Sequence, residues 1–358
     1  MENLKDYEKD INKCSKCGLC QAVCPIYKIT GNDCAVSRGK FVMLEGILKG
    51  ELKPSKRIIK YLDMCNKCGK CKDFCPSDID VLKIFETAKF EYTKKSLYHK
   101  FLFFLESRFV FSNFLNLFDW INKIFYRHKS KDNSTVTMNL LYFKGCANKI
   151  SPINEIALKQ ILKSYNNVNL VEKDFDCCGV PFLSSGNLKR YEEAKSKNLK
   201  LMQGKFDYVI TDCASCEDSL NQYNGDIPII NVIDFIMKNP KKFIFNKPLT
   251  VTFHKPCHLK NTDFLKQLIK KCQNVEYIEM EDFDECCGFS GEFTLNNPKL
   301  ALQMMKTKAK NAIKTNADIV LTLCPACIIG LKLGLFGQKN APKVMNLVEF
   351  LSHADKIS

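Results

Sequence analysis

Cys14, Cys17, Cys20 and Cys24 recur as Cys65, Cys68, Cys71 and Cys75, each 51 residues further on, and Pro25 or Pro76 closes each run. This C-x2-C-x2-C-x3-C-P spacing lets three thiolates on a tight loop reach three corners of one iron–sulfur cube. The fourth points away, to complete the other cluster. Cys14, Cys17, Cys20 and Cys75 are therefore assigned to one 4Fe-4S cluster, and Cys65, Cys68, Cys71 and Cys24 to a second. Zinc needs only four ligands in two pairs, so the third evenly spaced cysteine and the Cys-Pro ending favour iron.

A second, longer repeat follows. Cys146, Cys177, Cys178, Cys213 and Cys216 are echoed by Cys257, Cys286, Cys287, Cys324 and Cys327, at offsets of 111, 109, 109, 111 and 111 residues. Glycine follows each adjacent pair, Gly179 and Gly288, and permits the sharp turn that two neighbouring thiolates need to face one cluster. Five cysteines exceed the four that a cubane requires. Either the cluster is unusual or one thiolate stays free for exchange or reaction.

The elements that must present these cysteines alternate strand and helix. The first copy reads as strand 140–143, helix 152–164, strand 168–171, helix 188–203 and strand 208–211. The second reads as strand 250–254, helix 263–271, strand 275–279, helix 298–314 and strand 319–323. Every cysteine of the repeat then follows a strand, where an open parallel sheet places its ligands. The expected fold is α+β and multidomain: an α-helical dicluster ferredoxin module over 1–89, an aromatic helical connector over 90–135, and two duplicated Rossmann-like α/β domains over 136–247 and 248–358. Asn239 to Pro248 is expected to be a boundary between the copies, and the polar stretch His128 to Ser134 a linker.

Composition narrows the setting. The chain has 358 residues, 46% of them hydrophobic, and can build a core without disulfides. Its first residues, MENLKDYEKD, are charged and lack the apolar core of a secretory signal, so metal ligation in a reducing compartment is expected over a disulfide framework. The net charge of +15 invites a nucleic-acid reading. A four-cysteine cubane carries a net charge of about −2, however, so the assembled protein is less basic and no nucleic acid is expected. No membrane span is expected either, because the longest uncharged run in the most apolar region is ten residues, Phe109 to Phe118.

The patterns C-x30-CCG-x33-C-x2-C and C-x28-CCG-x35-C-x2-C resemble the cysteine-rich CCG domain of the heterodisulfide reductase family. Behind a double ferredoxin motif, they make the chain similar to the iron–sulfur subunits of glycolate oxidase and its relatives. Ser37-Arg38-Gly39-Lys40, Cys178-Gly179-Val180-Pro181 with Gly186, His254-Lys255-Pro256-Cys257-His258 and Cys324-Pro325-Ala326-Cys327 resemble further family motifs, Lys255 standing where aspartate is usual. The resemblance implies up to two further 4Fe-4S clusters, of non-cubane type, held by the ten CCG cysteines. It also implies an electron-transfer subunit of a flavin-dependent 2-hydroxyacid dehydrogenase complex, acting on glycolate, D-lactate or glycerol 3-phosphate and passing electrons to quinone. The alternative is a disulfide or thiol reductase with a catalytic CCG cluster.

No G-x-G-x-x-G fingerprint is present, so flavin and hydroxyacid are expected on a flavoprotein partner. His258, beside Cys257, is the candidate catalytic residue, able to hydrogen-bond a cluster thiolate or carry a proton. His254 is a weaker candidate, and Cys34 and Cys272, off both repeats, read as ordinary free thiols. In the connector, Leu97, Phe101, Phe104, Phe111, Leu115, Phe118 and Phe125 form one apolar stripe, and Phe103, Val110, Phe114, Leu117, Ile121 and Ile124 a second. A helical hairpin packed between modules is expected. Flanking Lys94, Lys95, Lys100, Lys123, Arg127, Lys129 and Lys131 favour a partner or the inner face of the cytoplasmic membrane as the second neighbour.

Overall fold

The computed structural model describes residues 3–93, 96–125, 137–223 and 225–358. The N-terminal module is helical. Helices Ser37–Leu48, Lys56–Asp63 and Val81–Thr93 enclose a core of Leu4, Ile11, Phe41, Leu44, Leu62, Ile84 and Phe85, with cysteines along its rim. Ser55 caps the second helix by accepting from the Ile58 amide, which fixes where the chain turns before Cys65.

The remainder is two parallel sheets of the expected α/β kind. In the first copy, β1 (Met138–Tyr142), β2 (Val168–Glu172), β3 (Tyr208–Thr211) and β4 (Ile229–Asn231) lie in the order β2-β1-β3-β4. In the second, β5 (Phe243–Phe253), β6 (Cys272–Tyr277), β7 (Ile319–Thr322) and β8 (Lys343–Asn346) lie in the order β6-β5-β7-β8, and β9 (Lys356–Ile357) pairs antiparallel with β5. The duplication extends to single bonds: Phe143 donates to the Ile210 carbonyl and His254 to Leu321, both at 2.9 Å.

The expected boundary at Asn239 to Pro248 is partly strand, because β5 begins at Phe243 and buries Phe243 and Phe245. Those rings join one core fed by both copies, from Leu140, Ile161 and Ile210 to Phe253, Leu268 and Leu321. Helix 214–221 and the short helix 180–185, absent from the expected pattern, carry the backbone away from the cysteines.

The connector departs from expectation in register. Helix Leu97–Leu105 leads into a π-helical turn, Arg108–Ser112, and then helix Asn113–Phe125. The wider turn shifts the following side chains round the axis, so the two stripes exchange faces. Leu97, Phe101 and Phe104 of the first stripe are exposed while Phe111 and Leu115 pack inward; Phe114, Leu117 and Ile124 of the second emerge beside Trp120. By length and composition, Leu97–Ile124 passes for a membrane span. Its polar groups nevertheless bind the protein sideways: Glu106 accepts from Ser185 and Asn187, and Asn122 donates to the Lys149 carbonyl. The linker His128 to Ser134, with Lys94, Lys95, Arg127, Lys129 and Lys131, lies outside the described residues.

A buried ionic cluster ties the parts together. Lys89 reaches Asp63 at 2.9 Å, the Ser184 carbonyl at 3.1 Å and Glu292, and His99 stands 3.2 Å from Glu292. Its members come from the N-terminal module, the connector and both α/β copies.

Candidate iron–sulfur centres and their surroundings

The two N-terminal loops share an unusual backbone. Lys16 and Lys67 have φ of 58° and 60°, and Gly18 and Gly69 have φ of 85° and 79°. Left-handed residues on both sides of Cys17 and Cys68 curl each loop so that its thiols converge. Cys14, Cys17, Cys20, Cys71 and Cys75 line one hollow; Cys24, Cys65, Cys68 and Cys71 line another. Each expected set of four lies along one hollow, and Cys71 lines both. Lys40 is buried against the second hollow, its ammonium 5.3 Å from the Phe85 ring centre. Burial pushes the Cys71 thiol up to about 12, while Lys40 pulls the other way. Such thiols give up their protons to a metal rather than to water, which fits the donor set to a cluster.

In each α/β copy five thiols form a chain of hydrogen-bonding neighbours at the strand ends. Cys146 meets Cys177, Cys177 meets Cys178, Cys178 meets Cys216 and Cys216 meets Cys213. Cys257, Cys286, Cys287, Cys327 and Cys324 repeat the sequence. Gly179 and Gly288 turn the backbone at φ of 91° and 88°. A Cβ at Gly179 would stand 2.4 Å from the Tyr191 ring, and one at Gly288 2.6 Å from the Met304 Cβ, so the turn admits only glycine. Bonds from Cys177 and Cys216 draw the Cys178 thiol down to about 5 against the effect of burial; Cys286 and Cys327 do the same to Cys287. Cys146 and Cys257 are driven well up, first by their bonds to Cys177 and Cys286 and then by burial.

Two further contacts join these sites into a row. Cys213 meets Cys324 across the interface between the copies, where the Ala214 amide donates to Leu323 at 2.8 Å and Ser215 Oγ lies 3.5 Å from Cys324 Sγ. Cys68 of the N-terminal module packs in one cluster with Cys257 and Cys286. Spacing alone could not reveal either contact, because both depend on how the modules dock.

The two histidines differ in place. His258 is half-buried on a cleft of about 1150 Å³ between the modules, which Cys68, Cys257, Lys70, Tyr191 and Glu86 also line. His254 is fully buried, and burial together with the Lys308 ammonium holds its imidazole down at about 3. Cys272 packs in the shared core and donates to the Leu268 carbonyl; Cys34 lies off every thiol row, near Tyr61.

Comparison with known proteins agrees with this layout. A 4Fe-4S dicluster domain matches residues 10–79, and a cysteine-rich CCG domain matches twice, at 140–221 and 251–332. One subunit of the fumarate reductase (CoM/CoB) of Methanothermobacter marburgensis is 26% identical over 98% of this chain and 74% of its own length. The probable glycolate oxidase iron–sulfur subunit of Bacillus subtilis is 22% identical, covering 97% and 94%. One subunit of the dihydromethanophenazine:CoB–CoM heterodisulfide reductase of Methanosarcina barkeri is 25% identical, covering 96% and 94%. The matched regions hold all eighteen cysteines of the two repeats, and the chain belongs to the iron–sulfur proteins in which a 4Fe-4S dicluster domain precedes two cysteine-rich CCG domains.

Proposed function

We propose that this chain is the electron-transfer subunit of a flavin-dependent 2-hydroxyacid dehydrogenase complex, glycolate oxidase-like, working between a flavoprotein partner and quinone. The observation that carries the reading is the single row of thiols from Cys17 through Cys68 and Cys257 to the Cys324–Cys213 contact and Cys146. Cys14, Cys17, Cys20 and Cys75 would hold the first cluster, Cys24, Cys65, Cys68 and Cys71 the second, and each five-cysteine set one further cluster. When bound, the clusters supply one-electron storage and transfer. The chain's own part is to set the four sites in order and to keep every thiol but Cys17 at least partly out of solvent.

Both ends suit their tasks. Cys17 is the exposed cysteine of the eight, and exposed Leu19 and Phe74 beside that site offer the flavoprotein a surface. At the other end, Cys146 opens a short helix against which connector helix Asn113–Phe125 packs. On its outer face that connector shows Phe101, Phe104, Leu117, Trp120 and Ile124, with Lys100 and Lys123 exposed. Among the described residues 97–125 the acids, Glu106 and Asp119, turn inward to Ser185 and Lys144. An apolar ridge bordered by cations and no outward acid suits an anionic lipid surface, where quinone is dissolved.

Affinity purification from the native host under gentle conditions should bring down a flavoprotein; its absence, with the clusters intact, would remove the reading. Vesicles containing anionic lipid should sediment the complex, and Trp120→Ser with Ile124→Ser should release it.

A second reading has its own observation. The cleft beside Cys257 and His258 is large enough for a small disulfide, which a catalytic CCG centre would reduce. Heterodisulfide reduction by the isolated, reconstituted chain, lost on Cys287→Ala, would replace the first reading with this one.

A further inference from the structure

The two CCG sites are copies in their thiols but not in the side chain behind them. Phe143 and His254 occupy the same place in the fold: each directly follows the first strand of its copy and donates the same backbone bond, to Ile210 and to Leu321. Phe143 fills its place with an apolar ring, its centre 4.9 Å from that of Phe175 and tilted 39° to it. His254 puts two polar nitrogens there, fully buried, and neither makes a well-formed hydrogen bond. A buried imidazole in that state is costly unless a neighbouring group takes its lone pair.

What it faces is sulfur. A ring nitrogen of His254 and the Sγ atoms of Cys287 and Cys327 all lie within 4.8 Å of one another. The Phe283 carbonyl, which takes the Lys255 amide at 2.9 Å, also lies beside the ring, as the outer acceptor of a metal-bound histidine ordinarily does. Lys308, also buried, donates to the Asp282 carbonyl nearby, and its charge suits an anionic cluster rather than a bare divalent ion. Among the described residues the other mixed group of this kind, Asp63, His99 and Glu292, is already filled by the Lys89 ammonium.

We propose that His254 is a nitrogen ligand to iron in the second CCG centre, beside Cys287 and Cys327, while thiolates alone hold the first. A neutral imidazole carries no negative charge, and by holding an iron that the fifth thiolate would otherwise bind it stands in place of a cysteine, which raises the potential of an iron–sulfur centre. The second centre is therefore the more easily reduced of the pair. This ligand assignment rests on each five-cysteine set holding a cluster, as in the proposed function.

The test uses the full chain, purified without oxygen, with histidine labelled by nitrogen-15 or left natural. After reduction, pulsed EPR should show one strongly coupled nitrogen whose signal changes with the label. It should vanish in His254→Phe, which installs the first copy's own residue, and persist in His258→Ala. One centre of His254→Phe should also titrate at a lower potential than in the parent. A fully loaded parent protein with only weak nitrogen coupling, as an N–H to sulfur bond gives, would overturn the proposal; so would a strong coupling that survives His254→Phe. Where His254→Phe prevents folding, the labelling comparison still shows whether a histidine binds at all, and loss of the coupling in His258→Ala would assign it to His258 and overturn the proposal. A parent protein lacking iron and sulfide would instead overturn the cluster reading itself.

Discussion

The first and second CCG copies hold equivalent rings of thiols yet grip different neighbours, and they do so with the same three residues. Asp-Phe-Asp precedes the cysteine pair in both. In the first copy Asp176 is buried and takes two bonds from the Arg190 guanidinium, at 2.8 and 2.9 Å, with Ser112 of the connector 3.4 Å away. In the second, one inserted residue, Glu285, separates Asp284 from the pair, and Asp284 faces Lys70 of the N-terminal module at 3.1 Å near the surface. A duplicated fold thus keeps its ligand geometry while its flanks diverge. At this position one copy holds its aspartate in a buried pair beside the connector, and the other offers it to the ferredoxin-type module near the surface.

The sharpest way to break the comparison is to remove a ligand from one copy only. Cys287→Ala should leave the first centre and both N-terminal clusters, but it should slow reduction of the first CCG centre by more than about 100-fold, beyond what loss of an outer-shell partner costs. Rapid-mixing spectroscopy with iron analysis checks this. Equal rates would mean that the copies are loaded independently rather than in a row.

Next in size is the contrast between the two aspartates. Arg190→Ala strands a buried carboxylate and should cost roughly 3–5 kcal/mol, whereas Lys70→Ala removes a partly exposed pair and should cost about 0–1 kcal/mol. Thermal melts of the loaded protein compare them directly. Similar losses would show that the second copy's contact is as structural as the first.

The smallest effect concerns two carboxyls held by asparagine, Glu106 by Asn187 and Glu292 by Asn296, each at 3.0 Å. Burial lifts Glu106 up to about 7. Burial also pushes Glu292 upward, but His99 and Lys89 more than offset it and hold its carboxyl below the ordinary range. The signs are opposite. Glu106 binds its proton more tightly when folded, so its stabilising contribution is complete at acid pH and is lost as pH rises through 7. Glu292 contributes above the ordinary carboxyl range and loses that contribution on acidification. Glu106→Gln, which keeps both accepted bonds, should raise the melting temperature above about pH 7 and leave it unchanged near pH 4. Glu292→Gln should lower it modestly at about pH 7, because Lys89 loses one carboxylate but keeps Asp63 at 2.9 Å.

Much of this site was legible because cluster ligation is local. Cys14 to Cys24 and Cys65 to Cys75 lie on short stretches of chain, and the hollows group Cys75 with the first run and Cys24 with the second, as the spacing leads one to expect. Strand and helix periods around Cys146 to Cys216 were equally readable, since a parallel sheet writes its pattern residue by residue. What stayed hidden depends on docking. The Cys213–Cys324 and Cys68–Cys257 contacts join residues that no spacing relates, and the importance of His254 appears only when Phe143 is seen in the matching place. Three residues could have been flagged: Lys40, Lys89 and Lys308 lie among apolar positions of their helices, a pattern that marks a buried cation seeking a partner. The connector misled for a different reason. Helical periodicity assumes a constant twist, and a π-helical turn breaks it without leaving a residue signature.

The Lys89 cluster bears on how the molecule comes into being. Lys89 and Glu292 are 203 residues apart in the chain, so during synthesis Asp63, Lys89 and His99 all emerge long before their last partner. Until Glu292 arrives, burying that ammonium would leave its charge poorly matched, and it stays in water. The N-terminal module therefore cannot complete its seal until Glu292 of the second CCG copy has emerged. Its cysteines stay open until then, and the closure acts as a clasp that waits for the second copy.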